Sequence, residues 1–170
     1  MSCPIQKLLL AAILLWPTAA ALPAATIIIV RHAERSTTMS TDAPLGAAGM
    51  ARARLLAQML RNSGVGRIFV TETLRARQTA EPIAALLHLT PVVIAQSDTD
   101  ALLSHLRQLG ETETVLLVGH TTSVPLIVDR LGGGPAAAMP DSEYDRLTVL
   151  VTSPDGKARA VTLRYGEPTE

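Results

Sequence analysis

Two histidines of this chain come just after apolar segments. Arg31 and His32 follow the run IIIV at residues 27–30, and His120 follows the run TVLLVG at residues 114–119. Short β-branched runs of this kind indicate buried strands, and open α/β sheets bind ligands at the carboxyl ends of their strands. The pattern therefore predicts an arginine and two imidazoles at the ligand-binding edge of a sheet.

These side chains have the properties that phosphoryl transfer requires. A neutral imidazole is a competent nucleophile near neutral pH, and a covalent intermediate divides the reaction into two easier steps. A guanidinium stays charged and donates two parallel hydrogen bonds to phosphate oxygens. A second imidazole, if protonated, would add a donor and a positive charge beside the transferring group. Such a set of side chains requires no metal and no cofactor.

Three segments together resemble the histidine phosphatase superfamily, the phosphoglycerate-mutase-like enzymes. The segments are RHA at 31–33, LRARQTA at 74–80 and VGHTTSVP at 118–125. The resemblance extends from Thr26 to the C-terminus, and it is closest to a small, compact, exported bacterial branch of the superfamily. It implies an α/β fold and a metal-independent phosphatase without cofactors.

The resemblance also implies a role for each matching residue. His32 corresponds to the nucleophile, which takes the phosphoryl group as phosphohistidine, and Arg31 to its neighbouring phosphate ligand. Arg75 corresponds to a second catalytic arginine that binds phosphate, and His120 to the second catalytic histidine. Thr121 directly follows His120. The candidate substrate-binding residues are Arg31, Arg75, His120 and Thr121. The implied reaction is hydrolysis of a phosphomonoester, with water as the final acceptor.

The general acid that protonates the leaving alcohol has three candidates. Asp98 and Asp100 occupy the region where many relatives carry this acid, but the sequence SDTD at 97–100 is also typical of a helix N-cap and first turn. Glu72 lies between a predicted strand and Arg75, where relatives often carry Ser-Pro. The sequence leaves the acid unassigned.

Glu34 raises two further alternatives. It is an additional acid candidate, although ion pairing is its more ordinary role. Together with His32 and His120 it would also make three metal ligands, but no close-spaced helical motif such as His-Glu-x-x-His supports a metal site. A metal-free reaction is therefore the expectation.

Alternating strands and helices must position these residues. Hydrophobic periodicity predicts this alternation, followed by two strands that a Ser-Pro-Asp-Gly turn at 153–156 connects. The order predicts one domain at 25–170, a three-layer α/β/α sandwich whose mainly parallel sheet ends in an antiparallel hairpin. Pro82 predicts an irregular helix, and His88 and His105 are assigned to helix surfaces. Predicted strands cover 27–30, 67–70, 92–95, 114–118, 146–152 and 157–164, and predicted helices cover 46–61, 74–87, 99–109 and 124–131.

The N-terminus has the order of a secretory signal peptide. Lys7 precedes an apolar run at 8–16 and small residues at 18–25, a pattern that predicts cleavage near residues 21 to 24. The apolar run is too short for a comfortable membrane span, and a buried N-terminal helix is the alternative. Residues 1–24 are therefore predicted to be a signal peptide, and the mature protein is predicted to be periplasmic or secreted, with no stable membrane span.

Composition and charge narrow the range of partners. The formal net charge is zero, and no basic stripe or aromatic cluster is present, which argues against a nucleic-acid partner. The chain has no room for a long insertion over the pocket, so the resemblance implies a shallow site. Such a site suits a phosphorylated small molecule, glycan, lipid headgroup or protein side chain. A non-catalytic phosphate-binding or interaction module is the alternative function, and the oligomeric state stays open.

Overall fold

The computed structural model describes residues 24–38, 40–153 and 157–169. The predicted signal peptide lies outside these ranges except for its last residue, and so do residues 154–156 of the predicted turn. Strands and helices alternate along the described residues, as the sequence predicts. The elements are β1 (Ala25–Arg31), α1 (Ala47–Leu60), β2 (Val65–Thr71), α2 (Leu74–Leu87), β3 (Val92–Ile94), α3 (Thr99–Arg107), β4 (Thr114–Gly119), α4 (Ser123–Arg130), β5 (Arg146–Thr152) and β6 (Ala158–Arg164).

The six strands form one sheet in the order β3-β2-β4-β1-β5-β6. The first four strands of this order are mutually parallel, whereas β5 is antiparallel to β1, and β6 to β5. The predicted fold class, a mainly parallel α/β sheet with an antiparallel edge, is confirmed. In the register of β1 with β4, Arg31 lies opposite Gly119. The residues that follow these two strands therefore emerge side by side.

Helices cover both faces of the sheet and complete three layers. Apolar side chains alternate between the faces along each strand, so that Ile28 and Val30 of β1 face one core and Ile27 and Ile29 face the other. The core on one face packs under α1 and α2, and the core on the other packs under α3 and α4. The first core includes Leu56, Ile68, Ile83, Leu116 and Val118, and the second includes Phe69, Leu103, Leu117, Ile127 and Leu150.

The helix starts reflect the local sequence. Gly46 precedes α1 without a side-chain cap, because glycine has no side-chain oxygen that could accept a hydrogen bond. Thr73 caps α2, and Asp98 caps α3 by accepting a hydrogen bond from the amide of Ala101 at 3.0 Å. The helix α2 continues on both sides of Pro82.

Two histidines lie on or at the end of helices, as predicted, and one helix ends earlier than predicted. His88 lies at the end of α2 and His105 on α3, and both are exposed. The end of α3 at Arg107 is two residues earlier than the predicted end, Leu109, because Gln108 already leaves the helical conformation. None of the described helices has the length and hydropathy of a membrane-spanning segment.

Candidate active site

His32 directly follows β1 and is held by backbone contacts. Its amide donates to the carbonyl of Gly119 at 2.9 Å, which joins the ends of β1 and β4. Its ring atom Nδ1 lies 2.8 Å from the carbonyl oxygen of Ala33. Because a carbonyl can only accept, Nδ1 carries the proton and donates it, which leaves the lone pair on Nε2. The ring is thus fixed in the tautomer that a nucleophilic Nε2 requires.

The surroundings of His32 keep its ring neutral. Its pKa is lowered to about 3. Burial is the largest cause, because a buried site disfavours the charged form, and the hydrogen bond to Ala33 partly opposes the shift. His120 and the charges of Arg31 and Arg75 lower the pKa further. At neutral pH the imidazole is therefore uncharged. Its Nδ1 carries a proton and its Nε2 does not, which is the nucleophilic form.

Arg31 is held by backbone carbonyls, by the ring of Tyr144 and by an ion pair with Asp141, whose Oδ1 lies 4.0 Å from its Nη2. Its Nη1 donates to three backbone carbonyls, those of Pro140 at 3.1 Å, Asp141 at 2.9 Å and Glu143 at 2.9 Å. The guanidinium carbon lies 4.1 Å from the centre of the Tyr144 ring, a cation–π distance. Its Nε is buried and has no hydrogen-bond partner among the residues that the structure describes. A buried donor without a partner is costly, and an anion oxygen at this position would satisfy it.

A buried ion cluster holds the segment that contacts Arg31. Glu143 is buried and accepts hydrogen bonds from Arg146, and its Oε1 lies 3.0 Å from Nη1 of Arg164. Arg146 also donates to the carbonyls of Ala137 at 2.6 Å and Ala138 at 3.1 Å. Buried carboxylates need such partners to remain charged. The cluster therefore fixes the backbone whose carbonyls bind Arg31.

His120 lies beside His32 at the end of β4. The two ring centres are 5.1 Å apart in an edge-on arrangement. Its Nε2 is 2.8 Å from Oγ1 of Thr71, the last residue of β2, and its amide donates to Oγ of Ser123 at 2.9 Å. Three adjacent elements, β2, β4 and α4, therefore set the position of this ring.

The electrostatics of His120 modify the sequence-based hypothesis of a protonated second imidazole. Its pKa is lowered to about 4, first by burial and then by the charges of Arg75 and Arg31, while Glu72 opposes the shift. The ring is therefore neutral at pH 7 in the unliganded protein. A phosphate dianion between the two histidines would raise this pKa, so that protonation of His120 is coupled to binding of the anion.

Arg75 lies in the first turn of α2 and has a carboxylate neighbour. Its Nη1 is 3.6 Å from Oδ1 of Asp42, which also accepts a hydrogen bond from the amide of Leu74 at 2.9 Å. The positive charge of Arg75 lowers the pKa of both His32 and His120. Arg75 therefore acts electrostatically on the same site as Arg31.

The three acid candidates lie on the exposed side of this site. Asp98 is the N-cap of α3 and Asp100 lies in the first turn of that helix, so the capping interpretation of this segment is the observed one. Glu72 is exposed, and its Oε2 accepts from the amide of Gln96 at 2.7 Å. Its charge raises the pKa of His120. Electrostatics therefore favour Glu72 over the two aspartates.

Glu34 has a structural partner. Arg52 donates to both of its carboxylate oxygens, at 2.7, 2.9 and 3.1 Å, and is itself buried. Ion pairing is thus the observed role of Glu34, and both oxygens are occupied. Among the described residues, no group of three or more His, Cys, Asp or Glu side chains is arranged to hold a metal ion.

Thr121 is half-buried at the rim of the site. Its Oγ1 lies 3.5 Å from Oδ1 of Asp141, a long hydrogen bond to an exposed side chain. Because Asp141 also contributes a carbonyl to Arg31, Thr121 lies close to this arginine. The substrate-binding role of Thr121 stays a prediction.

Two neighbours of the histidines were missed from the sequence. Thr71 is not among the predicted site residues, although its hydroxyl contacts His120. Tyr144 was not assigned to the site, although its ring centre lies 6.0 Å from that of His32. The sequence offers one signal for Tyr144, the scarcity of aromatic residues. The chain has two tyrosines, one tryptophan and one phenylalanine.

Comparison with known proteins agrees with this geometry. The family model for the histidine phosphatase superfamily, branch 1, matches residues 27–99. This range contains His32, both arginines of the site and all of β1 except its first two residues. The resemblance to the histidine phosphatase superfamily is confirmed. No curated protein sequence matches the chain.

Solved histidine phosphatase structures share the fold. The protein histidine phosphatase SixA, complexed with tungstate, has a TM-score of 0.66 and 22% identity, covering 82% of this chain and 96% of SixA. A mycobacterial glucosyl-3-phosphoglycerate phosphatase has a TM-score of 0.60 and 16% identity, with coverage of 84% and 98%. The phosphoglycerate mutase of Plasmodium falciparum has a TM-score of 0.59 and 18% identity, with coverage of 87% and 94%. These similarities establish the fold.

Proposed function

We propose that this chain is a phosphomonoester hydrolase that works through a phosphohistidine intermediate on His32 and needs no metal. The observation that carries the proposal is the combination of a neutral His32, whose Nδ1 donates to Ala33, with the unpartnered Nε of Arg31 beside it. The first supplies a nucleophilic nitrogen, and the second supplies a preformed contact for a phosphate oxygen. The match of residues 27–99 to the histidine phosphatase superfamily model supports the same reaction class.

In the first step, Nε2 of His32 attacks phosphorus in line with the leaving oxygen. The N–P bond forms as the P–O bond breaks, and the electron pair of that bond goes to the leaving alcohol oxygen. Glu72 is our candidate for the acid that protonates this oxygen. The phosphorylated ring becomes cationic, and its Nδ1–H donates more strongly to the Ala33 carbonyl. Arg31 and Arg75 bind the phosphoryl oxygens throughout.

In the second step, water attacks the phosphorus of the phosphohistidine. The O–P bond forms, the N–P bond breaks, and its electron pair returns to Nε2 of His32. The proton that water loses goes to the carboxylate that served as the acid, now acting as a base. The products are inorganic phosphate and the regenerated imidazole, so atoms and charge balance over the cycle.

We propose that the substrate carries its phosphate on a small molecule, a glycan, a lipid headgroup or a protein side chain. The fold neighbours include a protein histidine phosphatase and a sugar-phosphoglycerate phosphatase, which supports this breadth of phosphorylated substrates. We also propose export, because the sequence at residues 7–25 has the order of a signal peptide. Fractionation of cells that express the full chain tests this part of the proposal.

The deciding experiment is hydrolysis of an aryl phosphate by the mature protein, with and without EDTA. His32→Ala is the test variant, and His105→Ala, which removes an exposed histidine of α3, is the matched control. Turnover that survives EDTA, is retained in His105→Ala and is lost in His32→Ala is the expected result. Turnover by His32→Ala would overturn the nucleophile assignment, and loss of turnover in EDTA would overturn the metal-free mechanism.

A non-catalytic phosphate-binding module is the alternative, and one observation favours it. The acid candidates are exposed, and two of them already bind backbone amides, Asp98 in its cap and Glu72 with Gln96. Such a module would bind orthovanadate or phosphate through Arg31 but would turn over no phosphomonoester. Anion binding measured by calorimetry, together with the absence of phosphohistidine after incubation with aryl phosphate, would identify it.

A further inference from the structure

Thr79 joins two parts of the site with one hydroxyl group. It lies on α2, and none of its surface is exposed. Its Oγ1 accepts a hydrogen bond from the amide of Ala33 at 2.9 Å and donates to the carbonyl of Arg75 at 2.7 Å. Ala33 follows the nucleophile directly, and Arg75 is the phosphate-binding arginine of α2. A single side-chain atom therefore connects the backbones of both.

The first contact bears on the nucleophile. Ala33 supplies the carbonyl that fixes the Nδ1 proton of His32, and its amide is the group that Thr79 binds. Without the hydroxyl, this buried amide would lose the partner that Thr79 provides, which costs free energy unless the backbone moves. Movement of Ala33 would carry its carbonyl away from His32. The tautomer and the ring orientation of His32 therefore depend on Thr79.

The combination of the two contacts separates Thr79 from an ordinary helical threonine. Threonines in helices commonly donate to the carbonyl four residues earlier, and the contact with Arg75 is of this kind. The same oxygen also accepts from another segment, more than 40 residues away in sequence, at the end of β1. The donated bond fixes the direction of the hydroxyl, so that its lone pair is directed toward Ala33.

We propose that Thr79 is a positioning residue that sets the orientation of His32 relative to Arg75 for phosphoryl transfer. The inference rests on the proposed phosphatase function. Nucleophilic attack requires the nitrogen and the phosphorus to be aligned within a few tenths of an ångström. Because Arg75 binds the phosphate and His32 attacks it, a direct link between their backbones fixes the distance that determines the rate.

The test compares Thr79→Val, which keeps the shape and removes the hydroxyl, with Thr79→Ser, which keeps the hydroxyl. Thr148→Val is the matched control, because Thr148 is also a buried threonine but lies within β5. We expect Thr79→Val to lower kcat for an aryl phosphate by roughly 10- to 100-fold, the scale of a small misplacement of reacting groups. Thr79→Ser should restore most of this loss, and Thr148→Val should retain wild-type kcat.

A spectroscopic readout separates positioning from general stability. In ¹⁵N-labelled wild-type protein, the His32 ring should show a protonated Nδ1 and an unprotonated Nε2. Thr79→Val should shift this ring toward a mixture of tautomers, whereas Thr79→Ser and Thr148→Val should not. If Thr79→Val does not fold, Thr79→Ala compared with Thr79→Ser gives the same contrast, because both lack the γ-methyl group and differ in the hydroxyl.

The outcomes distinguish this inference from the function on which it rests. Wild-type kcat and an unchanged His32 tautomer in Thr79→Val would overturn the positioning role while leaving the phosphatase proposal intact. An equal loss of kcat in Thr79→Val and Thr79→Ser would also overturn it, because the hydroxyl would not be the cause. Wild-type protein that turns over no phosphomonoester would overturn the proposed function, and the positioning role with it.

Discussion

The histidine pair and the acid candidates both lie at the carboxyl ends of the parallel strands. Their side chains differ in burial and in hydrogen bonding. His32 and His120 are buried, with 4% and 5% of their surface exposed, and each has a side-chain or backbone partner at a ring nitrogen. Glu72, Asp98 and Asp100 are exposed on the side of β2 and α3. In the proposed reaction, the attacking side of the site is thus preorganised, whereas the leaving-group side is open to solvent.

This difference follows from what each side must do. Attack on phosphorus requires a neutral imidazole in a fixed tautomer, and burial together with backbone hydrogen bonds achieves both. An acid must only reach the leaving oxygen, whose position changes with the substrate. An exposed carboxylate can meet this demand, and its contribution then depends on the leaving group. Measurements that treat the two sides separately test this distinction.

The largest effect is expected from Arg75→Lys, on the preorganised side. Lysine keeps the charge but loses the planar fork that binds two phosphate oxygens. We expect kcat/KM for an aryl phosphate to fall by roughly 10²- to 10³-fold, the scale for the loss of one preorganised donor. Steady-state kinetics measure the fall, and inhibition by inorganic phosphate should weaken in parallel.

Arg77→Lys is the matched control for that change. Arg77 is exposed and lies two residues along the same helix, so the substitution alters the same chemistry outside the site. Its kcat/KM should stay near the wild-type value. Equal losses in the two variants would mean that the fall does not come from bidentate binding of phosphate by Arg75, and the assignment of Arg75 as a phosphate ligand would be wrong.

On the open side, Glu72→Gln should have a smaller effect that depends on the substrate. A general acid contributes about 10²-fold or more when the leaving group is a poor one. We therefore expect kcat/KM, which reports the first step alone, to fall by about this size for an alkyl phosphate and to change little for an aryl phosphate, whose leaving group needs little protonation. The ratio of the kcat/KM values for the two substrates is the measurement.

Asp98→Asn completes this test, because asparagine caps a helix as well as aspartate does. The variant keeps α3 intact and removes only the carboxylate, so both substrates should react at wild-type rates. If Asp98→Asn instead shows the alkyl-specific loss and Glu72→Gln does not, the acid lies on α3 and the electrostatic argument for Glu72 is wrong.

The same contrast explains how much of the protein could be predicted from its sequence. The strands and helices were predicted within one or two residues at most ends, because long apolar runs and the cap signal of Asp98 determine them. His32 and His120 could be placed together because both follow strands of a parallel sheet. Local patterns were sufficient where secondary structure alone brings residues to one edge.

Contacts between distant segments could not be predicted. Arg31 binds carbonyls more than 100 residues away along the chain, and a backbone carbonyl leaves no trace in the sequence. The pairing of Glu34 with Arg52 joins the loop after β1 to α1, and several other arginines were equally plausible partners. The acid stayed open for a related reason, since an exposed carboxylate has the same sequence signal as a helix cap.

Gly49→Ala tests how closely the preorganised side is packed. A Cβ at Gly49 would overlap the backbone oxygen of Glu34, in the loop that carries His32. Alanine normally stabilises a helix, but here we expect a loss of about 1–3 kcal/mol in the free energy of unfolding, the usual cost of overpacking. Urea denaturation measures it. Gly66→Ala, where nothing lies within 4 Å, should change stability by less than about 1 kcal/mol, and equal effects would contradict the packing argument.

The smallest effect is expected from pH, and it tests the burial of the histidine pair. The pKa values of His32 and His120 are lowered to about 3 and about 4, so both rings stay neutral in the folded protein at pH 6. In the unfolded chain they take up protons below about pH 6.5, and protonation therefore favours unfolding. Between pH 7 and pH 6 the free energy of unfolding should fall by roughly 0.5 to 1 kcal/mol per histidine. The loss should continue as the pH falls through the folded pKa values.

Urea denaturation at pH 7, 6 and 5 measures this dependence, and His32→Gln isolates one ring. Glutamine does not titrate, so the variant should lose about half of the wild-type slope between pH 7 and pH 6. His105→Gln, which changes an exposed histidine, should keep the wild-type slope. An unchanged slope in His32→Gln would mean that His32 ionises as readily in the folded protein as in the unfolded chain. The attacking side would then lack the electrostatic preorganisation that separates it from the open side.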